Sequence, residues 1–321
     1  MSEPANTQRR STLPVLLSVA VSAAIIGFLL SRVQWDETTR LLAGMDRFWL
    51  MMAFLATCLV PFFAGLRFWG IVRVSEQTRL PFKTVLSLVT AANVLNAFLP
   101  SKGGDVVKAL YYKKRGLMSG MLGTVLIERV IDVGMLGLLG ALSALFLNIP
   151  WALFAGSLLF LVAFGLIAIL VVAAKRPLPD FIPARITRMI SMNASHFRMW
   201  SKQTSSVLLT LLGSAGNWLL AGLIVGFLVA GIHGQPEWLY VFAILPIAIL
   251  SGLAPLTVSG IGTRDAAFVS LLEKVLTTEE STLVALGYTV FVYWVLALVS
   301  LPLATRLLTF YFKTWRAERQ G

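Results

Sequence analysis

Charge is what this sequence has least of. Only 13% of its 321 residues are Asp, Glu, Lys or Arg, while 57% are hydrophobic. Soluble domains carry about 25% charged residues, so this scarcity, with a mean hydropathy of +0.82, excludes one. Short alternating segments are absent too, which excludes a membrane β-barrel. The single cysteine, Cys58, lies inside an apolar stretch, so no intrachain disulfide forms and no redox compartment can be read. Two isolated histidines, His196 and His233, argue against a zinc site. Neither a Walker loop nor a G-x-S-x-G elbow occurs, so ATP hydrolysis and serine-hydrolase chemistry have no support. The expectation is a protein that is not an enzyme and carries no cofactor or metal.

What the chain does have is long apolar stretches, at 13–33, 48–72, 82–99, 118–147, 151–174, 207–232, 239–258 and 283–310. Most reach the ~20 residues that cross a bilayer as helix. Because lipid tolerates only internally hydrogen-bonded backbone, the fold class is an all-α polytopic bundle with about eight apolar segments. The first stretch follows Arg9 and Arg10 but is too long for a signal peptide and lacks a cleavage pattern, so it is read as a retained span.

The net charge of +12 is explained by cationic cytoplasmic loops more simply than by nucleic acid. Arg73, Arg79 and Lys83, then 113–115, then the loop 175–206 and the tail after Arg306 are basic. Asp36, Glu37, Glu237, Glu279 and Glu280 mark external segments. Both termini are therefore expected in the cytoplasm of a bacterial inner membrane, with loop 175–206 lying on anionic headgroups.

Eight simple crossings contradict that charge pattern. Cationic segments flank 82–99 on both sides, and acidic ones flank 239–274. Two re-entrant hairpins resolve it, 82–112 turning at 100–104 and 239–274 turning at 255–262. Irregular backbone at membrane depth is allowed when protein buries it or it lines a wet cavity. The result is one membrane domain of two inverted repeats, 13–147 and 151–310, as in several secondary transporters.

The two turns carry matching residues. One reads Pro100-Ser101-Lys102-Gly103-Gly104-Asp105, the other Ser259-Gly260-Ile261-Gly262-Thr263-Arg264-Asp265. Each precedes a helix-like run with an aspartate as its cap. Helix N-termini favour anions, glycine permits close approach, and Lys102, Lys108 and Arg264 add phosphate donors. Ordinary turns with ordinary caps are the competing reading, which the pairing across two halves outweighs. A second cluster, Glu128, Arg129 and Asp132, falls near mid-bilayer, about 15 Å into a helix starting at Met118. Such charges mark a gating or coupling site by default, with a static ion-pair lock as the alternative. Spacing allows Arg129 to neutralise Asp132 while Glu128 meets a hairpin cation. Asn93 and Asn96 share a face and are the better cavity candidates; Arg67, Asn217 and Trp218 are the others, with Arg67 placed to snorkel toward headgroups.

These motifs resemble the lysylphosphatidylglycerol synthetase transmembrane-domain family, whose best-known members are the multiple peptide resistance factors. The matching residues are 100–108, Glu128-Arg129-Val130-Ile131-Asp132 and Gly260-Ile261-Gly262-Thr263-Arg264-Asp265, in a likeness spanning roughly 13–306. Asp105 and Asp265 stand where the family often has glutamate. No soluble aminoacyltransferase domain follows Arg306, so the resemblance implies lipid translocation and no lysyl transfer. The expected function is a lipid flippase acting on a phospholipid or modified lipid. The alternative is a non-transporting membrane partner that presents lipid to a separate enzyme such as a glycosyltransferase. Lipids, a second copy of the chain and a separate lipid-modifying enzyme are the partners left open.

Overall fold

Where lipid is the solvent, long apolar segments satisfy their backbone only as helix, and helices are what the chain forms. A computed structural model describes residues 5–74, 79–113, 118–173, 194, 196–252, 257, 260–305, 307 and 309, giving backbone alone for 5–17, 100–102, 113, 118–123, 126 and 173. In order come α1 (Ala5–Ser31), α2 (Trp35–Gly44), α3 (Arg47–Val72) and α4 (Phe82–Asn96). A 3-10 turn over Pro100–Asp105 leads into α5 (Val106–Lys113), followed by α6 (Met118–Phe146) and α7 (Pro150–Ala173). The second half holds α8 (Thr204–His233), α9 (Trp238–Ser251), α10 (Thr263–Leu272) and α11 (Thr278–Thr305), the last with a π turn at Val290–Val295.

Among the described residues, five helices are long and apolar enough to cross a bilayer: α3, α6 from Ile127, α7, α8 and α11. Ser18–Ser31 of α1 makes a sixth when joined to α2, which leaves it at 90°. The chain is an all-α, multi-pass membrane protein. By contrast α4 has 15 residues, α5 has 8, α9 has 14 and α10 has 10, each short of the ~20 needed to span. The segments read as hairpins from loop charge are thus the ones built from short helices. Helix α2 has no counterpart in the sequence reading, which left its residues in a loop. It is amphipathic, with acidic Asp36 and Glu37 in its first turn, where they complement the helix dipole.

Small residues set the helix crossings that position the interior. A methyl group at Gly213 of α8 would sit 2.3 Å from the Arg67 amide nitrogen of α3. At Gly137 of α6 it would sit 2.7 Å from the Gly156 carbonyl of α7. Such backbone contact is how membrane helices pack without a hydrophobic driving force between them. The outward face is apolar: Phe154, Leu161 and Phe164 of α7 are exposed, a surface that lipid tails cover.

Loop 175–206 was expected on the membrane surface. Residues 174–193 and 195 lie outside the described residues, but 196–202 do not follow that expectation. Phe197 and Trp200 are buried against Ile71 and Ile127, and Trp200 Nε1 donates to Thr210 Oγ1 at 3.0 Å. These aromatic rings gain more from packing into the bundle than from lying among headgroups.

Candidate functional site

One cavity of about 160 Å³ collects the charged residues of both halves, room for on the order of ten waters. Arg67, Asp105, Lys108, Glu128, Arg129, Asp132 and Arg264 border it, as do Asn93, Asn96, Asn217 and Trp218.

The 3-10 turn reaches the cavity because Gly104 lies directly on α4. A Cβ there would fall 2.1 Å from the Ala92 carbonyl oxygen, and the Gly104 amide donates to Asn96 Oδ1 at 2.8 Å. Only glycine fits that approach. Asn96 therefore anchors the turn as well as bordering the cavity, and Asn93 Nδ2 donates to Ser300 Oγ at 3.4 Å. Gly103 packs on Leu99. The side chain of Lys102 lies outside the described residues.

Beyond the turn, Asp105 does not spend its carboxylate on capping. Its oxygens meet Lys108 Nζ at 2.9 Å and Arg129 Nη2. Lys108 also reaches Glu128 at 3.4 Å and lies 4.6 Å from the centre of the Phe68 ring. Glu128 receives Arg67 Nη2 at 2.7 Å, and Arg67 Nη1 reaches Asp132 Oδ1, also at 2.7 Å. Ser214 Oγ donates to that same Asp132 oxygen at 2.7 Å. Three cations and three carboxylates thus form one neutral, connected network. Charge balance with additional hydrogen bonds is the condition under which such groups survive burial.

Two expectations are corrected, one drawn from helix spacing and one from position along a span. Arg129 does not neutralise Asp132; it pairs with Asp105, because the turn delivers that carboxylate to its own face of α6. Arg67 does not snorkel to the headgroups. It is 7% exposed and bridges Glu128 and Asp132, because the close α3–α8 crossing at Gly213 turns it inward. Glu128 does meet a hairpin cation, Lys108.

The second turn is built differently. Gly260 and Gly262 have φ of 79° and 105°, backbone that favours glycine. Pro255, Val258 and Ser259 lie outside the described residues. Asp265, fully buried, caps the start of α10 by accepting from the Gly262 amide at 2.9 Å. It also accepts from Arg264 Nη2 at 3.0 Å and Thr289 Oγ1 at 2.7 Å. Arg264 bonds Thr289 as well and lies 5.1 Å from the ring centres of both Tyr288 and Tyr293. Tyr288, Thr289 and Tyr293 went unread in the sequence. Tyr288 and Thr289 end the regular α-helical part of α11 and Tyr293 lies in the π turn that follows at Val290–Val295, a feature frequent at functional sites and without a composition signal.

Residues 15–300 match the lysylphosphatidylglycerol synthase TM region. The chain belongs to that family. It is also similar to the UPF0104 membrane protein MJ1078 of Methanocaldococcus jannaschii, with 29% identity over 193 residues covering 56% of this chain and 79% of that protein.

His196 lies apart from the cavity. Burial pushes its imidazole below the ordinary histidine value, with a backbone hydrogen bond at Ile71 partly opposing the shift.

Proposed function

We propose that this family member is a lipid translocase that passes the headgroup of a phospholipid or modified lipid through the charged cavity. The observation that carries the reading is that Asp105, Lys108 and Arg264, from two short-helix turns far apart in sequence, border one wet-sized space in an apolar bundle. Buried charge inside a membrane protein is expensive and is kept for transport paths and coupling.

In this reading the two short-helix segments are re-entrant hairpins of inverted repeats, with both chain termini in the cytoplasm. The halves support it by parallel design. Each turn supplies a cation stacked on an aromatic ring, Lys108 on Phe68 and Arg264 on Tyr288. Asp105 precedes Glu128 by the separation at which Asp265 precedes Tyr288. Lys108 and Arg264 line the path, and Glu128, Arg129 and Asp132 form its gate. The pair Arg129–Asp105 is the most solvent-accessible of the network, at 38% and 25% side-chain exposure, and is the contact that opens first.

The test is reconstitution into liposomes with headgroup-labelled lipids, followed by dithionite quenching. Transbilayer movement is expected to accelerate with the protein and to fall to the protein-free rate in Asp105→Asn/Arg264→Gln, checked for folding by elution and helix content. Folded protein that moves no lipid in the panel overturns the reading.

A further inference from the structure

Helix α2 joins two helices long enough to cross a bilayer and is too short to cross one itself. It has 10 residues, against 27 in α1 and 26 in α3, and a span needs ~20. It leaves α1 at 90° after residues 32–34, and only residues 45 and 46 separate it from α3. A helix perpendicular to one crossing segment and directly before another runs along the membrane surface, here for about 15 Å.

At 3.6 residues per turn its side chains divide into three sectors. Thr38 is buried and Leu41 half-buried, on the side where α2 packs on α8 and α11. Asp36, Glu37 and Arg40 are exposed, with Arg40 3.5 Å from Glu37. Trp35 and Leu42 are seven positions apart, so they share one face, largely opposite the three charges. They are 57% and 54% exposed. Thr39 borders that face, and its hydroxyl already donates to the Trp35 carbonyl at 3.0 Å.

The helices at either end show what covers the Trp35–Leu42 face. Phe28 near the end of α1, and Phe48 and Met51 at the start of α3, are exposed on segments that stand in lipid. An apolar face that continues such a surface, on a helix at its edge, meets the same solvent. Tryptophan is enriched at the headgroup level, and a helix with one apolar and one charged face lies in that layer.

We propose that α2 is an in-plane membrane helix, with Trp35 and Leu42 among the headgroups and upper acyl chains of one leaflet and Asp36, Glu37 and Arg40 in water. Its partner is the lipid surface. The contact ties that surface to the second turn. The Gln34 amide, at the start of α2, donates to Glu279 Oε1 of α11 at 3.3 Å. A Cβ on Gly262 would lie 3.3 Å from the Ile25 Cβ of α1. The α1–α2 unit thus rests on α10, which carries Arg264, and on α11, whose Thr289 Arg264 bonds. The lipid contact is independent of what the cavity carries.

Spin labels on the full-length chain in liposomes of phosphatidylethanolamine and phosphatidylglycerol test it. Trp35→Cys, Leu42→Cys, Asp36→Cys and Arg40→Cys are made singly in a Cys58→Ser background. All four side chains are exposed, and elution like the unmodified chain checks each fold. Collisions are measured with oxygen, which concentrates in acyl chains, and with a water-soluble nickel chelate. The ratio of oxygen to nickel collisions is expected to be severalfold higher at positions 35 and 42 than at 36 and 40. Equal nickel access at all four positions overturns the proposal by placing the helix in water. Oxygen-rich, nickel-poor labels at all four overturn it by placing the helix inside the bilayer. Labels at 35 and 42 shielded from both reagents overturn lipid as the partner, because a second copy or another protein then covers the face.

Discussion

Arg67 holds two buried carboxylates at once, at 2.7 Å each. Removing it strands Glu128 and Asp132, whose remaining partners among the described residues are Lys108 at 3.4 Å and the Ser214 hydroxyl. Breaking a buried pair from one side costs about 3–5 kcal/mol. Arg67→Met is therefore expected to lower the thermal unfolding temperature in detergent sharply, and Arg67→Met/Glu128→Gln/Asp132→Asn to recover much of the loss. A triple variant no more stable than the single one would show that Arg67 stabilises by packing rather than by charge. The residue types of this network were legible in the sequence, because charge inside an apolar run stands out. Its pairing was not. Spacing along one helix favours Arg129 with Asp132, and only the turn arriving from another segment shows that Arg129 faces Asp105.

At the scale of elements, the structure depends on glycine where backbones touch and is indifferent to it elsewhere. Gly104→Ala places a methyl 2.1 Å from the Ala92 carbonyl oxygen, so the 3-10 turn must lift off α4, breaking the hydrogen bond to Asn96. Overpacking of this kind costs about 1–3 kcal/mol, and it also displaces Asp105 from Lys108 and Arg129. Gly165 in α7 has open space around it, and alanine there is expected to be neutral or to stabilise by up to about 1 kcal/mol through helix propensity. Melting curves of the two variants should separate in that order; equal curves would mean the α4 contact is unimportant. The helices and both turns could be read from hydropathy and from glycine content. The π turn in α11 and the amphipathic helix α2 could not. The first leaves no composition signal, and the second is too short and polar to register as a span.

For the whole molecule, the arrangement of the two halves decides which face each loop occupies. On the proposed re-entrant topology, in which 82–112 enters and leaves on the cytoplasmic side, a cysteine or tag inserted between Lys113 and Gly116 is expected to be accessible only from the cytoplasm, on the same side as Arg73 and Arg79. The check is labelling of intact cells with a membrane-impermeant reagent, in a Cys58→Ser background. Extracellular labelling would remove the hairpin and, with it, the inverted repeat. Composition alone determined that this chain lives in lipid as a helical bundle, since too little charge is available for any other solvent. Motif order determined its family, which the match over residues 15–300 establishes. Tertiary structure alone decided that Arg67 faces inward and that the charges of both halves share one cavity. The physical reason is that hydropathy and spacing act along a single helix, whereas pairing and burial depend on which helices touch.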